Sequence, residues 1–289
     1  MYMKISQLFK EKDVTLSFEV FPPKTDAGFE AVEKAASEIA ALSPDFMSVT
    51  YGAGGGTSKN TAKIAGDLQD RFSVPVLAHL TCVSSTKDLV KSVVNEYKER
   101  GIENIMALRG DIPKEGRISF DYDHATELIY DIKSIDDSFC IGGACYPEGH
   151  VECARQSEDI RHLKEKVDAG CDFLTTQMFF DNGVLYQFLY RIREKGIEVP
   201  VVPGIMPITN AKQVARSVAL SGSTIPQKMK IMVDRFADEP DKMKEAGIIY
   251  ACDQIIDLIS NGVSHIHVYS MNKPDIAEGI MNNLRSIIR

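Results

Sequence analysis

The stretch LSFEVFPPK, residues 16–24, places one carboxylate, Glu19, inside an apolar, β-prone run that two prolines close. Because side chains alternate along a strand, Glu19 is predicted to share one face with Ser17 and Phe21, opposite to Leu16 and Phe18. Burial raises the pKa of a carboxyl group, and a Glu that keeps its proton near neutral pH can deliver it to a substrate. Two interpretations stay open at this point: a general acid, or a structural ion pair with a nearby Arg or Lys.

Length, composition and charge narrow the class of protein. A chain of 289 residues is long enough for two domains or for one α/β barrel. Its 44% hydrophobic and 26% charged residues are typical of a globular protein with a large core. The net charge of −8 and the lack of a block of consecutive basic residues argue against nucleic acid or an anionic membrane as the partner. A small-molecule substrate is therefore favoured.

The cysteines and the N-terminus predict the compartment. The six cysteines contain no C-x-x-C pair, and the first 13 residues, MYMKISQLFKEKD, lack the apolar core of a signal peptide. The sequence also has no uncharged stretch near the ~18 residues of a spanning helix and no cluster of metal ligands. These features predict a reduced, cytoplasmic protein without a membrane segment or a metal site.

Eight short β-like runs alternate with helical patterns along the whole chain. The runs are LSFEVFP at 16, FMSVTYG at 46, PVLAHLTC at 75, NIMALRGD at 104, CIGGACYP at 140, FLTTQMFF at 173, VVPGIMP at 201 and HIHVYSMN at 265. Such alternation implies parallel strands. It predicts an α/β fold in which residues 1–289 form a single (β/α)8 TIM barrel, with an extra helical segment around residues 225–236 before the last strand.

The competing architecture is an open, doubly wound sheet. It usually carries G-x-G-x-x-G after the first strand, and that fingerprint is absent. The glycine-rich GAGGGTSKN that begins at residue 52 follows the second run and does not fit the spacing, so it is interpreted as a flexible turn rather than a phosphate cradle. The barrel is therefore the preferred prediction.

Helix boundaries are visible in three places. Ser85 to Asp88 reads as a capping box that begins the helix after the third run. Gly170 and Gly262 each come directly after an amphipathic run, where a left-handed cap is needed. These positions predict where three of the crossover helices begin or end.

Polar residues late in the runs form the candidate site, because a barrel places its site at the carboxyl ends of the strands. They come from seven different runs: Glu19, Thr50, His79, Arg109 with Asp111, Tyr146, Gln177 and Tyr269. Each residue taken alone also has a structural explanation. It could be a strand former, a hydrogen-bonded core histidine, or a buried aromatic residue whose polar end reaches solvent. Taken together they indicate a ligand site, because burying so many polar groups without partners costs roughly 1–3 kcal/mol each.

The sequence Leu108-Arg109-Gly110-Asp111 indicates a strand that runs into a tight turn. Gly110 would allow the backbone to approach a ligand closely. Asp111 would then lie at the rim, where a carboxylate can accept two hydrogen bonds from a guanidine-like ring edge such as that of a pterin. A helix N-cap or a salt bridge to Arg109 would explain Asp111 equally well.

The chain resembles the methylenetetrahydrofolate reductases over nearly its whole length. The resemblance is carried, in the family's order, by SFEVFPPK at 17, VTYGA at 49, AHLTC at 78, ALRGD at 107, YPEGH at 146, KVDAG at 166, TTQMFFD at 175, PGIMPITN at 203 and HVYSMN at 267. It implies a (β/α)8 barrel that binds FAD at the strand ends. The implied activity is flavin-dependent reduction of 5,10-methylenetetrahydrofolate to 5-methyltetrahydrofolate, a step of one-carbon metabolism and methionine biosynthesis.

The resemblance also implies a role for individual residues. Glu19 matches the general acid that protonates the leaving nitrogen of the folate's imidazolidine ring, and Asp111 matches the residue that contacts the pterin and tunes the flavin. Gln177 matches a residue where folate and nicotinamide alternate against the flavin, and Gln213 a further substrate contact. The positions that match cofactor-binding residues are Thr50, Tyr51, Ala53, His79, Arg109, Gly110, Asp111, Ala125, Tyr146, His150, Asp159, His162, Lys166 and Tyr269.

Four positions depart from the family pattern. His162 and Glu165 stand where Asn and Arg commonly help to bind FAD, which would leave more of the phosphate contact to Lys166. Lys273 stands at a substrate-binding position where Arg is frequent, so the charge is kept but the two-point geometry is lost. Ser217 stands near a position that often holds an aromatic residue against the nicotinamide.

These departures leave the electron donor open between NADH, NADPH and a protein. In the ping-pong mechanism that the resemblance implies, hydride passes from nicotinamide to flavin and then to the folate. Two alternatives are a subunit of a larger redox complex with a protein donor, and a flavin-free barrel that transfers a methyl group from folate. The family resemblance also implies a homo-oligomer.

Overall fold

The computed structural model describes residues 3–23, 28–51, 58–112, 116 and 121–288. Its strands are β1 Thr15–Val20, β2 Phe46–Val49, β3 Val76–Thr81, β4 Asn104–Leu108, β5 Cys140–Cys145, β6 Phe173–Thr176, β7 Val201–Val202, β8 Gly204–Ile205 and β9 His265–Val268. Its helices are α1 Ile5–Glu11, α2 Phe29–Ala40, α3 Ser58–Phe72, α4 Lys87–Glu99, α5 Ala125–Ile135, α6 Gln156–Asp168, α7 Asn182–Glu194, α8 Ala211–Ser221, α9 Gln227–Phe236, α10 Pro240–Ser260 and α11 Pro274–Leu284.

The strands form one parallel sheet that curls into a nearly closed barrel. Their order is β7-β6-β5-β4-β3-β2-β1-β9-β8. Strands β1 to β7 pair in chain order, and β9 pairs with both β1 and β8. All observed pairs are parallel. The outward faces of the strands pack under the helices in the main hydrophobic cluster. The predicted α/β barrel is confirmed.

The seventh predicted run is one barrel position divided into two short strands. Pro203 has no N–H to donate and lies between β7, which pairs with β6, and β8, which pairs with β9. The backbone N–H of His267 donates to the Pro203 carbonyl oxygen at 2.9 Å as part of the β8–β9 pairing, and the chain through Pro203 connects that pairing to β7. Within the described residues, nine strands therefore occupy the eight barrel positions that the sequence predicts.

Helix α1 closes the amino-terminal end of the barrel, which is here called the floor. Its Ile5, Leu8 and Phe9 are buried against inward-facing strand residues that include Phe46 and Phe173. The Phe9 ring lies edge-on to the Phe173 ring, with 5.4 Å between ring centroids. Aromatic and aliphatic side chains thus fill this end of the barrel, and the opposite end is left for a site.

The helix boundaries confirm most of the sequence predictions. Gly170 and Gly262 adopt positive φ values of 113° and 79°, as left-handed caps require. The cap of α4 is Thr86, whose side chain accepts from the Leu89 N–H, so the prediction that Ser85 begins a capping box is wrong by one residue. Ser85 instead donates its hydroxyl to the Thr81 carbonyl oxygen. The extra helix predicted around residues 225–236 is α9.

Candidate active site

Glu19 lies on the inner face of β1, as the alternation predicts. Leu16, Phe18 and Val20 pack in the cluster between strands and helices. Ser17 and Glu19 point into the barrel, where Ser17 contacts His267 and Glu19 contacts Ser48. Glu19 is therefore held near the carboxyl end of the central strands, which is here called the mouth.

Two imidazoles approach the Glu19 carboxylate. The Oε2 atom of Glu19 lies 3.8 Å from Nε2 of His79 and 4.0 Å from Nε2 of His267. The Ser48 hydroxyl lies 3.5 Å from the same oxygen. The side chain of Glu19 is 21% exposed, whereas those of His79 and His267 are 9% and 3% exposed. The structure thus brings together Glu19 and His79, two of the candidate residues, and places His267 beside them.

The protonation of Glu19 differs from the sequence expectation. Burial alone would raise the pKa of Glu19, but the interactions with His267 and His79 outweigh it and lower the pKa below its ordinary value. Burial lowers the pKa of His79 to about 4. The expectation that burial keeps Glu19 protonated is therefore wrong for the ligand-free chain, in which Glu19 is a carboxylate.

Arg109, at the end of β4, points to the rim of the barrel. Its guanidinium makes a two-point contact with Glu152, at 2.6 and 3.1 Å. The hydrogen bond and charge of Glu152 raise the pKa of Arg109, while partial burial opposes them. Asp111 is exposed beside it and Arg109 pairs with Glu152, so a salt bridge does not account for Asp111.

Gly110 adopts a φ of +87°, which confirms the tight turn after β4. A Cβ at this position would lie 2.9 Å from Val83 Cγ1 and 3.0 Å from Thr81 Cβ. The backbone at Gly110 therefore packs closely against Thr81, the last residue of β3, and against Val83, which follows that strand. This packing explains why a glycine is needed here, and the expected close approach of Gly110 to a ligand stays a prediction.

Tyr146 and His150 form an aromatic pair at the rim after β5. Their rings meet edge to face, with 4.5 Å between centroids. Burial, followed by the charge of Asp111, raises the pKa of Tyr146 to about 12. The Asp159 carboxylate, in the first turn of α6, accepts from the His150 N–H at 3.2 Å. The structure therefore brings together four residues that the sequence proposed: Tyr146, His150, Asp159 and Asp111.

Lys166 crosses the layer between strands and helices. Its Nζ donates to the Ala144 carbonyl oxygen at 2.6 Å, and its neighbours include Cys145 and Cys171. Burial lowers the pKa of Lys166, against the opposing effect of these two thiols. In this conformation Lys166 supports β5 from outside the barrel, so the extra phosphate contact expected of it remains a prediction.

Glu165 and His162, the two residues on α6 that depart from the family pattern, contact nearby side chains. Glu165 forms an ion pair with Arg161 one turn earlier, and its side chain is 49% exposed. His162 is exposed, and its ring stacks at 6.0 Å on that of His124, the N-cap residue of α5. Ala125, the first residue of that helix, is buried. The charge of Glu165 is therefore offset by Arg161.

Residues after β2 occupy different surroundings. The Thr50 N–H donates to the Val20 carbonyl oxygen, which ties the ends of β1 and β2 together. The Tyr51 side chain is buried in the outer cluster and interacts with Tyr97. Ala53 and most of the glycine-rich GAGGGTSKN stretch, residues 52–57, lie outside the described residues.

The remaining candidates lie directly after β6, on α8, directly after β9 and at the N-cap of α11. The Gln177 side chain accepts from the Met178 N–H, and that of Gln213 accepts from the Thr209 N–H. The Tyr269 hydroxyl donates to the Thr176 carbonyl oxygen at 2.7 Å, and burial raises its pKa. Lys273 is exposed as the N-cap residue of α11, and Ser217 is buried on α8.

Sequence reasoning placed Ser17 on the face of Glu19 but did not name Ser48, His267 or Asn272 as candidates. Ser17, Ser48 and His267 line the barrel below it, and Asn272 holds the Phe21 backbone through both its N–H and its carbonyl oxygen, each at 2.9 Å. The sequence did contain a signal for Ser48 and His267. The same alternation that identified Glu19 places Ser48 and His267 on inner faces, in the runs FMSV and HIHV.

The residues at the rim fit an anionic, aromatic cofactor such as FAD. The planar Arg109 fork already holds a carboxylate at two points, which is the geometry it uses for a phosphate. The aromatic pair of Tyr146 and His150 lies on the next strand end. In the structure the anionic group that this fork holds is the Glu152 carboxylate.

The described part of the chain has neither a membrane-spanning helix nor a cluster of metal ligands. Among the helices of that part, none is long and apolar enough to cross a membrane. The same residues contain no group of three or more His, Cys, Asp or Glu that could hold a metal ion.

The parallel barrel with titratable side chains at the carboxyl ends of its strands defines an α/β-barrel protein with a small-molecule site at its mouth. Residues 4–285 match the family model of methylenetetrahydrofolate reductase. The chain belongs to the methylenetetrahydrofolate reductase family, which is a family of enzymes.

Relatives of known name support this membership. The chain is 34% identical over 271 residues to a 5,10-methylenetetrahydrofolate reductase of Pectobacterium carotovorum subsp. carotovorum, covering 94% of this chain and 90% of that protein. It is also 34% identical over 272 residues to the 5,10-methylenetetrahydrofolate reductase of Escherichia coli (strain K12), with the same coverage. Methylenetetrahydrofolate reductase (NADH) 1 of Arabidopsis thaliana is 32% identical over 295 residues, which are 97% of this chain and 50% of that protein.

Solved structures share the fold at low sequence identity. A Clostridium thermocellum protein described as binding two copies of 5-methyl-5,6,7,8-tetrahydrofolic acid superposes with a TM-score of 0.67 and 12% identity, covering 99% of this chain and 100% of the other. A 2,3-dimethylmalate lyase superposes with a TM-score of 0.55 and 11% identity, covering 98% of this chain and 85% of that one. These similarities establish the barrel architecture.

Proposed function

We propose that this chain reduces 5,10-methylenetetrahydrofolate to 5-methyltetrahydrofolate with bound FAD and a nicotinamide donor. One observation carries the proposal: the carboxylate of Glu19 lies inside the barrel mouth with two imidazoles within 4.0 Å of it. The family membership supports the substrate class, and the position of Glu19 supports its role as the acid.

In this function Glu19 protonates the leaving nitrogen of the folate's five-membered ring. The C–N bond opens with its electron pair on that nitrogen, and the remaining iminium carbon accepts hydride. FAD, when bound, supplies the hydride-transfer chemistry. Because Glu19 is ionised in the ligand-free chain, it must gain a proton before it acts, and covering the mouth with ligands favours its neutral form by desolvation.

In the proposed function, other residues bind the folate and FAD and orient them. Asp111 is exposed at the rim after β4, where its carboxylate can accept two hydrogen bonds from the pterin's guanidine-like edge. Arg109, Tyr146 and His150 would hold the anionic and aromatic parts of FAD. The amides of Gln177 and Gln213 and the ammonium of Lys273 would contact folate.

We propose NADH as the first donor to test, because the plant relatives carry NADH in their names. NADPH or a protein donor would leave the folate step unchanged. The same proposal includes a single catalytic domain that works in the cytoplasm as a homo-oligomer.

The test is the visible spectrum of the purified protein, followed anaerobically through addition of NADH and then of methylenetetrahydrofolate. A flavin band that bleaches with NADH and returns with the folate supports the whole proposal. A band that only an artificial or protein donor bleaches overturns the nicotinamide part. No flavin binding on reconstitution, with folate binding retained, would favour the flavin-free methyl-transfer barrel.

A further inference from the structure

Helix α8 carries Gln213, a proposed folate contact, but it packs loosely on the barrel. Among the described side chains of this helix, only Ser217 and Ser221 are buried. Ala211 and Val214 are partly buried against a hydrophobic cluster beyond the strand ends. The methionines of that cluster are Met178, Met206, Met229, Met232 and Met243. Because methionine side chains are flexible, this packing fixes the position of a helix less closely than branched side chains would. Polar contacts at its ends therefore decide where α8 lies.

One of these contacts is a chain of serines at the C-terminal end of α8. The Ser221 hydroxyl lies 2.7 Å from the Ser217 carbonyl oxygen and 2.7 Å from the Ser223 hydroxyl. The Ser223 hydroxyl donates to the Met178 carbonyl oxygen at 2.7 Å. All three serines are buried. The chain thus ties the end of α8 to the segment that follows β6.

The second contact is made by Glu148, in the loop after β5. Its carboxylate accepts from the Thr224 N–H, which lies 3.0 Å from each oxygen, and from the Thr224 hydroxyl at 2.8 Å. These hydrogen bonds between Glu148 and Thr224 are here called the clamp. Beside it, Gly222 adopts a φ of +67°, and a Cβ there would lie 3.1 Å from Cγ1 of Val151. The loop after β5 and the turn after α8 therefore meet at two points.

The loop after β5 gives the clamp a firm base. The rings of Tyr146 and His150 meet edge to face on either side of Glu148 in the sequence. Two residues further on, Glu152 holds the Arg109 guanidinium at two points. Hydrogen bonds to a charged carboxylate are stronger than those between neutral groups. Glu148 therefore links the loop that carries the FAD candidates to the turn that ends α8.

We propose that Glu148 is a positioning residue that holds α8 beside the mouth through the clamp and thereby sets the affinity for the folate and for the nicotinamide donor; this inference rests on the proposed function. The N-terminal end of α8 is fixed separately, because it follows β8 and is capped by Asn210. Losing the clamp loosens the other end, so ligand binding must first order the helix that carries Gln213, and this ordering weakens affinity. Glu148 acts through α8 and not on the reacting atoms, so the chemical steps keep their rates.

Half-reaction kinetics of the FAD-loaded protein test the effect on ligand affinity. In Glu148→Ala, the half-saturating concentrations of NADH and of methylenetetrahydrofolate, each in its own half-reaction, should rise roughly 5- to 20-fold. The limiting rate of each half-reaction should change less than about threefold, as expected when only binding is weakened. Stopped-flow absorbance of the flavin measures both quantities. Lower limiting rates with unchanged half-saturating concentrations would contradict the positioning role.

Flavin affinity and matched variants separate the positioning of α8 from damage to the loop after β5. Flavin fluorescence titration of Glu148→Ala should give the FAD affinity of wild type, because the contacts of Arg109 and Tyr146 remain. Thr224→Ser keeps the hydroxyl and should behave like wild type, whereas Thr224→Val keeps only the N–H and should show a smaller shift than Glu148→Ala. Glu99→Ala, at the exposed last residue of α4, is the control and should change nothing. Unchanged ligand affinities in Glu148→Ala, or a parallel loss of FAD, would overturn the proposal.

Hydrogen exchange tests the clamp without any activity. In ligand-free Glu148→Ala, the amides of α8 and of Thr224 should exchange faster than in wild type, because the end of the helix opens more often. The amides of α6 should keep their exchange rates, and equal exchange of α8 in the two proteins would overturn the proposal. If FAD-loaded wild type binds neither NADH nor the folate, the proposed function fails, and exchange still decides whether Glu148 fixes α8.

Discussion

The floor and the mouth of the barrel use the same strands for opposite purposes. On β3, Leu77 faces inward at the floor and His79 faces inward two residues later. On β2, Phe46 at the floor is followed by Ser48 in the same way. A step of two residues along a strand keeps the face and moves about 7 Å toward the mouth. Position along the strand therefore separates side chains that stabilise the barrel from those that form the site.

The largest expected effect comes from removing the acid at the mouth. Glu19→Gln keeps size and polarity but cannot donate a carboxyl proton, so the folate half-reaction should fall about 10²- to 10⁴-fold. Flavin reduction by the donor should persist, because that step needs no acid. Stopped-flow measurement of the two half-reactions decides the outcome. Equal loss of both, or of neither, would contradict the role of Glu19.

A substitution at the floor should lower the free energy of unfolding rather than the rate of the reaction. Phe9→Ala removes a buried ring that packs against Phe173 and His265, and should cost about 3–5 kcal/mol in the free energy of unfolding. Urea titration measures this loss, and Lys10→Ala on the exposed side of α1 is the matched control. A Phe9→Ala protein as stable as the control would mean that α1 does not close the barrel in solution.

Low pH should destabilise the protein because of His79, a buried histidine at the mouth. The folded pKa of His79 is about 4 because of burial, against 6.5 as its ordinary value. Between these values the unfolded chain binds a proton that the folded chain does not, so stability is lost as the pH falls from about 6.5 toward 4. The loss is on the order of 3 kcal/mol from this group, and protonation of Glu19 acts in the same direction at lower pH.

The measurement is the unfolding free energy of wild type and His79→Gln at several pH values between 7 and 4. The variant should lose clearly less stability across this window than the wild type does. His162→Gln, at an exposed histidine, serves as the control and should follow the wild type. Parallel curves for wild type and His79→Gln would show that His79 does not titrate as described.

The smallest expected effect concerns the rim. Glu152→Gln removes one partner of the Arg109 ion pair, and because the Glu152 side chain is 52% exposed, stability should change by less than about 1 kcal/mol. Flavin affinity should rise, because a carboxylate no longer competes for the guanidinium. Flavin fluorescence titration measures the affinity, and weaker binding by Glu152→Gln would show that Glu152 supports the site instead of competing for it.

The comparison of floor and mouth also shows how far sequence reasoning reaches. The run-and-helix pattern predicted the barrel, and the alternation in LSFEVF predicted the inward side of Glu19. The same reasoning did not identify α1 as the floor, because a short N-terminal helix has no pattern that names its packing partner. It also missed Ser48 and His267, since a serine and a histidine in short strands have ordinary explanations when each is considered alone.

The sequence by itself determined the period of each element, the order of strand and helix, and the family motifs, because these depend on neighbours along the chain. Only the tertiary structure decided the protonation of Glu19. Burial pushes its pKa up, but His79 and His267 push it further down, and they come from strands 60 and 248 residues away in the chain. Electrostatic balance in a barrel depends on distances between strands, and those distances exist only after the sheet has closed.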